Sequence, residues 1–197
     1  MNDRIAELKA MVQRANRIVI FTGAGVSTDS GVPDFRSPGG LWSQFKPIPF
    51  QEFMASAETR LVAWQRYFHI HASFRAAVPG RGHRAIARLA PGTVITQNID
   101  GLHQVSGIAA ERVIELHGTG THALCLACGL RHEIAWARDF IAANGSAPRC
   151  ISCDGPVKSA TIAFGQPMPD APMRAAKLAT RESDLFVAAG SDRKSVV

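Results

Sequence analysis

The chain has no apolar run approaching the roughly 20 residues that a membrane-crossing helix requires. Its first stretch, Met1 to Arg17, carries charge throughout and lacks the apolar core of a secretory leader. Both absences point to a soluble, cytoplasmic protein. Repeats and low-complexity tracts are missing too, which excludes solenoids and arrays. Lysine and arginine number 22 against 16 acidic residues, yet they are scattered and form no basic run. Direct nucleic-acid binding is therefore not expected. The mild positive charge suits an anionic cofactor, and equally an ordinary solvated surface. A chain of 197 residues fits one domain with small inserts and can bury a proper core.

Cysteine is scarce but ordered. The four cysteines form two pairs, Cys125-x-x-Cys128 and Cys150-x-x-Cys153. In a cytosolic chain that pattern favours a metal over disulfides. Four thiolates satisfy tetrahedral Zn²⁺ and leave no open position, so the site is structural and cannot activate water. Gly129 and Asp154-Gly155 follow the second cysteine of each pair, making knuckles whose backbone amides can point at the thiolates. His122 and His132 lie nearby, but a full sulfur shell has no vacancy for them.

The central stretch is Ile18 to Arg36, reading IVIFTGAGVSTDSGVPDFR. Ile18 to Phe21 has the look of a strand buried on both faces. Gly23-Ala24-Gly25 then permits a tight turn and close approach to a ligand. Val26-Ser27 opens a segment whose free N–H groups could hold a diphosphate. The third glycine of the dinucleotide fingerprint is absent, since Thr28 occupies its place, so a plain strand-to-helix turn explains the glycines equally well. Asp34-Phe35-Arg36 adds a carboxylate, an aromatic face and a guanidinium that a core strand does not need.

Further strands are predicted over Thr93–Ile99, Val113–Leu116, Ala160–Gly165 and Leu185–Ala189. Asp3–Asn16 reads as an amphipathic packing helix with Ile5, Leu8 and Val12 at helical spacing. Gln51–Ala77, His83–Leu89, Trp136–Ala143 and Ala171–Thr180 also read as helices, with Leu61, Trp64, Phe68 and Phe74 facing a core. The loop Ser37–Pro49 is either a lid or a packed surface loop, held by Leu41, Trp42 and Phe45. His69 and His71 have no partner at metal spacing. Polar residues cluster where strands end: Gln97, Asn98 and Asp100 after one, His117-Gly118 after another. Parallel α/β sheets bind ligands beyond those carboxyl ends, and a histidine there suits acid–base chemistry. Asn98-x-Asp100-Gly101 is also a good turn sequence.

Taken together these residues resemble the sirtuin family. The match rests on Gly23 to Ser27, Ser30 to Arg36, Thr96 to His103, His117-Gly118, the four cysteines, Phe164-Gly165 and Gly190-Ser191, in the family's order. The resemblance implies an α/β fold: a doubly wound, Rossmann-like parallel sheet with a small zinc insert at 119–159 and a loop and helical insert at 37–83. The NAD-binding domain would comprise 1–36, 84–118 and 160–191. It implies NAD as co-substrate, structural Zn²⁺, an acyl-lysine protein or peptide as partner, and release of nicotinamide and O-acyl-ADP-ribose. His117 would be the general base. Gly23, Ala24, Gly25 and Ser27 would serve the diphosphate, and Asp34, Phe35 and Arg36 would close over the nicotinamide ribose. Gln97, Asn98 and Asp100 would contact ribose and nicotinamide, with Gly190 and Ser191 as the opposite wall. Ile162, Phe164 and Gly165 would pair with substrate by strand addition.

There are departures from the pattern. Gln166 stands where many members carry glutamate, a change on the substrate-peptide side; the lack of a clear Tyr-x-x-Arg pair in Gln65–Arg75 favours acetyl or other neutral acyl groups. After Ser191 the family continues with further strands, whereas Asp192 to Val197 matches the in-frame translation of a common sequencing adapter and reads as a non-native tail. Two alternatives to deacylation remain: protein ADP-ribosyl transfer in the same pocket, and an inactive truncated NAD- and zinc-binding module.

Overall fold

The computed structural model describes residues 2–34 and 40–191. Helix α1 (Asn2–Arg14) leads into strand β1 (Ile18–Thr22). Two single 3₁₀ turns, Ala24–Val26 and Thr28–Ser30, replace the helix that usually follows such a strand. Helices α2 (Leu41–Gln44), α3 (Phe50–Ala55), α4 (Ala57–Ala76) and α5 (Arg81–Leu89) come next, followed by β2 (Thr93–Thr96), α6 (Leu102–Val105) and β3 (Val113–Glu115). Strands β4 (Gly118–Cys125) and β5 (Arg131–His132) precede α7 (Ile134–Asn144) and β6 (Val157–Thr161). Helix α8 (Asp170–Glu182) and β7 (Leu185–Ala189) complete the described elements.

Four of the strands form a parallel sheet in the order β3-β2-β1-β7. The apolar runs form it because both faces are covered. Ile20 and Val94 pack with Ile86 of α5 on one face, while Val19, Phe21 and Ile95 pack with Ala176 of α8 on the other. Burying these β-branched and aromatic side chains removes them from water at about 25 cal/mol per Å² of apolar area. Parallel pairing has a functional consequence: the carboxyl ends of all four strands lie along one edge.

The second sheet is antiparallel, in the order β5-β4-β6. Its core joins Ala123, Cys125, Cys150 and Val157 to Ile134 and Ala137 of α7 and to Trp64 of α4. The indole of Trp64 donates to the Val157 carbonyl at 3.0 Å, which fastens the helical insert to this module.

Two expectations need correction. The apolar run Ala160–Gly165 does not extend the parallel sheet. The strand here is Val157–Thr161, and it pairs antiparallel with β4, Cys125 opposite Val157 and Gly118 opposite Thr161. Ile162 to Gly165 are apolar because they line a cavity, and the chain turns away at Gly165 (φ +75°). Helix α1 exists, but most of its apolar stripe is not packed: Ile5 is 62% and Leu8 48% exposed, and only Val12 is half-buried. Trp64 is buried as expected, and Leu61 and Phe68 pack against the same cluster.

Candidate functional site

A cavity of about 1240 Å³ opens at the carboxyl edge of the parallel sheet. It is bounded by the turn after β1, the segments after β2 and β3, α4, and Ile162 to Gln166. Its position follows from topology. Each strand ends where the next layer of the fold begins, so four short segments face one space.

His117 reaches the cavity through a sharp bend after β3. Gly118 makes the bend possible, with φ +69° and so little room that an added Cβ would lie 2.0 Å from the Ala160 carbonyl oxygen. The Nδ1 of His117 sits 3.0 Å from the Gln97 carbonyl oxygen. A carbonyl can only accept, so Nδ1 carries the proton and Nε2 keeps a free lone pair. Burial lowers the imidazole pKa, and the bond to Gln97 opposes that shift only partly. The ring is therefore a neutral base at pH 7.

The glycine turn is built for close contact between strand ends. Gly190 adopts φ +63°, and a side chain on it would collide with Val26 N at 2.2 Å. Gly25 N–H donates to the Gly190 carbonyl at 2.8 Å, and Gly23 N–H to the Ala189 carbonyl at 3.2 Å. Ser191 Oγ donates to Gln97 Oε1 at 3.3 Å, linking the end of β7 to the end of β2. The N–H groups of Val26 and Ser27 are not free as the sequence suggested. They bond to the carbonyls of Gly23 and Ala24 at 3.1 and 3.0 Å, because the chain makes a 3₁₀ turn there instead of opening a helix.

The expected site residues divide into layers. Ala24, Gly25, Asp34, Gln97, Asn98, His117, Gly190 and Ser191 all line the cavity, as do Ile162, Phe164 and Gly165. Gly23, Ser27 and Asp100 lie outside its lining. Ser27 is fully buried behind it, donating to Asp100 Oδ2 at 2.6 Å and accepting from Asn98 Nδ2 at 3.0 Å. Asp100 Oδ1 accepts the Leu102 N–H at 2.9 Å, at the start of α6. Phe35 and Arg36, and Ser37 to Gly39 of the loop read as a lid or a packed surface loop, lie outside the described residues, as does the tail Asp192–Val197. Two carbonyls of the expected substrate strand are already engaged: Phe164 by Phe50 N–H at 2.8 Å and Gly165 by Gln51 Nε2 at 3.3 Å. Gln166 Oε1 turns inward to accept the Ala163 N–H at 3.1 Å.

Sequence reasoning missed part of the lining. Tyr67, Ile70 and Phe74 of α4 face the cavity, and Tyr67 donates its hydroxyl proton to the Gly120 carbonyl. Their spacing of three to four residues marks one helical face, but pattern alone cannot tell a core face from a cavity face. Lys158 was missed as well. It is 6% exposed, donates to the carbonyls of Ser159 (3.1 Å) and Thr161, and is pushed down to about 8 by burial. His69 and His71 are ring partners of Phe45 and Tyr67, and neither joins a metal-ligand cluster.

The four cysteines meet at the end of the second sheet. Their Sγ atoms all lie within 4.8 Å of one another, with Cys125 and Cys153 at 3.4 Å and Cys128 and Cys150 at 3.6 Å. Those separations are too long for disulfides and close to the ~3.8 Å edge of a tetrahedron with Zn–S bonds of about 2.3 Å. Ala127 N–H and Cys128 N–H point at Cys125 Sγ, and Ser152 N–H at Cys150 Sγ, at 3.4 to 3.5 Å. Amide donors of this kind stabilise thiolates, so the donor set fits Zn²⁺. The cysteines are not part of the cavity lining.

The sequence pattern of the Sir2 family matches residues 23–196. An NAD-dependent protein deacetylase of Rhodopseudomonas palustris is 51% identical over 195 residues, covering 97% of this chain and 77% of that protein. NAD-dependent protein deacetylase 1 of Bradyrhizobium diazoefficiens is 51% identical over 191 residues, covering 95% and 75%. Among solved structures, a Sir2 with p53 peptide and NAD⁺ superposes with a TM-score of 0.83 at 28% identity, covering 95% of this chain and 75% of that one. A Sir2Tm bound to a propionylated peptide gives 0.83 at 26% identity, with 95% and 76% covered.

Proposed function

The chain belongs to the Sir2 family, and on that premise we propose that it is an NAD-dependent protein-lysine deacylase whose reaction takes place in the cavity beside His117. When bound, NAD supplies an electrophilic ribose carbon with nicotinamide as leaving group, and so accepts the acyl group of a substrate lysine. The observation that carries the assignment to this cavity is the 3.0 Å contact of His117 Nδ1 with the Gln97 carbonyl. With Nδ1–H committed to Gln97, Nε2 is left to take a proton from a ribose hydroxyl. Ala24, Gly25, Gly190 and Ser191 would hold the dinucleotide against the strand ends, with Asp34, Phe35 and Arg36 over the nicotinamide ribose. Gln97 and Asn98 would orient that ribose, since a reaction of this kind depends on fixed geometry between acyl oxygen and sugar.

Ile162 lines the cavity together with Ile70 and Phe74 of α4, and these apolar side chains would flank an acyl-lysine side chain. Phe164 and Gly165 would lie along the substrate peptide, with their carbonyls engaged by Phe50 and Gln51. A neutral acyl group suits that lining, and acetyl is the first to test. The zinc module supplies folding free energy and carries no reaction step. Among the described residues no helix is long and apolar enough to cross a membrane, and a cytoplasmic location forms part of this reading.

The test is to incubate the protein with acetyl-lysine peptide and NAD and to follow products by mass. Nicotinamide together with O-acetyl-ADP-ribose is the expected result. ADP-ribosylated protein without deacetylation would replace this reading with a transferase, and NAD left intact would end both. His117→Ala should abolish deacylation while the protein retains one zinc.

A further inference from the structure

One buried charge has no part in the reaction above. Lys158 lies in β6 opposite Leu124 and is 6% exposed. Among the described residues no carboxylate pairs with its ammonium. Burial alone pushes it down to about 8, so it still carries its charge at pH 7. An interior charge without a counter-ion is costly, and a methionine would fill much the same space without that cost. The ammonium donates instead to the carbonyls of Ser159, at 3.1 Å, and of Thr161.

Those carbonyls stand where the second sheet is interrupted. β4 and β6 run in register from Cys125 opposite Val157 to Ala123 opposite Ser159, and meet again at Gly118 opposite Thr161. In between, Thr119 to His122 stand opposite Ala160 alone. This bulge is held from elsewhere: Gly120 donates its N–H to the Ile99 carbonyl at 2.8 Å and accepts the Tyr67 hydroxyl. A bulge bends its strand and breaks the ladder, so it leaves the end of β6 poorly tied to β4. Lys158 bridges the gap along its own strand, tying Ser159 to Thr161.

The end of β6 matters because it reaches the base. The Thr161 carbonyl belongs to the Thr161–Ile162 peptide, and the N–H of that same peptide donates to the His117 carbonyl at 2.8 Å. A cation on the carbonyl polarises the peptide and strengthens its N–H as a donor. His117 is thus gripped twice, by Gln97 at the ring and by Ile162 at the backbone. His117 and Ile162 both line the cavity.

We propose that Lys158 is a positioning residue for deacylation: by holding the Thr161 carbonyl it fixes the Thr161–Ile162 peptide, and through that peptide the place of His117 in the cavity. The inference rests on the reading of His117 as the general base of a deacylase.

The experiment uses the whole chain with zinc bound. K158M keeps the length of the side chain and loses the donors, whereas K158R keeps both charge and donors. Steady-state kinetics with acetyl-lysine peptide and NAD separate kcat from KM, and hydrogen exchange reads the Ile162 amide. K158M is expected to retain its zinc and to melt close to the parent, since relief of a buried charge offsets the lost hydrogen bonds. Its KM values should stay within about twofold while kcat falls about tenfold, the scale of loss when a catalytic group shifts by a fraction of an ångström. K158R should recover most of that loss. The Ile162 amide should be protected in the parent and exchange faster in K158M. If K158M does not fold, K158Q takes its place, because the shorter amide cannot span both carbonyls, and the same loss of kcat is expected. A K158M or K158Q with parent-like kcat, a loss carried by KM alone, no recovery in a folded K158R, or an unprotected Ile162 amide in the parent would overturn the proposal. A parent that binds NAD but forms no O-acetyl-ADP-ribose would end the deacylase reading, and this role with it, before any variant is compared.

Discussion

Replacing Trp64 by phenylalanine tests whether the helical insert and the zinc module form one cooperative unit. Trp64 is 2% exposed, packs against Tyr67 and Phe68 of its own helix, and donates its indole N–H to Val157, a residue with no exposure at all. Phenylalanine removes about 40 Å³ of side chain, worth about 1 kcal/mol of cavity cost at ~24 cal/mol per Å³. Losing the burial of those ring atoms adds about 1 kcal/mol. Losing the indole donor to an interior carbonyl adds about another. The expected destabilisation is therefore about 3 kcal/mol. Urea unfolding at constant zinc would show it as a midpoint lower by ~1 to 1.5 M, given a slope of 2–3 kcal/mol/M, with the slope unchanged. A loss below about 1 kcal/mol would refute the argument, because it would mean that helix and module do not depend on this contact. A lowered slope with two transitions would mean that they unfold separately.

Acid should destabilise the fold through the buried histidines. His103 is lowered to about 4 by burial and by its neighbour His83, whereas an unfolded histidine titrates near 6.5. The unfolded chain thus binds more protons between those values, and stability falls as pH drops from about 6.5 to about 4, by up to ~3 kcal/mol from His103 alone. Unfolding midpoints at pH 7.5 and 5.5 should show a smaller drop in His103→Gln than in the parent, a comparison that cancels any zinc loss common to both; equal drops would refute it. Stripping the metal with a chelator should release one zinc per chain, expose four reactive thiols and remove the cooperative unfolding of residues 118–161, read by thiol titration and circular dichroism. Cys128→Ser should lower the zinc content and the folding yield in the same way, since metal affinity here is folding free energy.

Much of the site could be read before any coordinates, because its chemistry sits on short local signals. An apolar strand followed by polar residues marks a carboxyl end, and three such ends predicted a crevice. Two Cys-x-x-Cys knuckles predicted a metal cluster. The reading failed where apolar character has two possible causes. Ile162 to Phe164 looked like a buried strand and instead line the cavity. Ile5 and Leu8 looked like a packing stripe and instead face outward. Lys158 left no signal, since a lysine in a strand is ordinarily an exposed one and only the fold buries it.

Sequence alone determined the strand and helix periods, the glycine-bearing turn, the metal-binding cysteines and the identity of the polar residues at the strand ends. Those are properties of neighbouring residues, and local stereochemistry and coordination chemistry suffice for them. The tertiary structure decided which polar groups face the cavity and which stand behind it. Ser27 carries the residue type of a binding site, yet it is fully buried behind the cavity, where it holds Asn98 and donates to Asp100. It also set the Gln97 carbonyl opposite His117 Nδ1, which fixes the proton there. A tautomer depends on what lies opposite each nitrogen, and those partners come from distant parts of the chain.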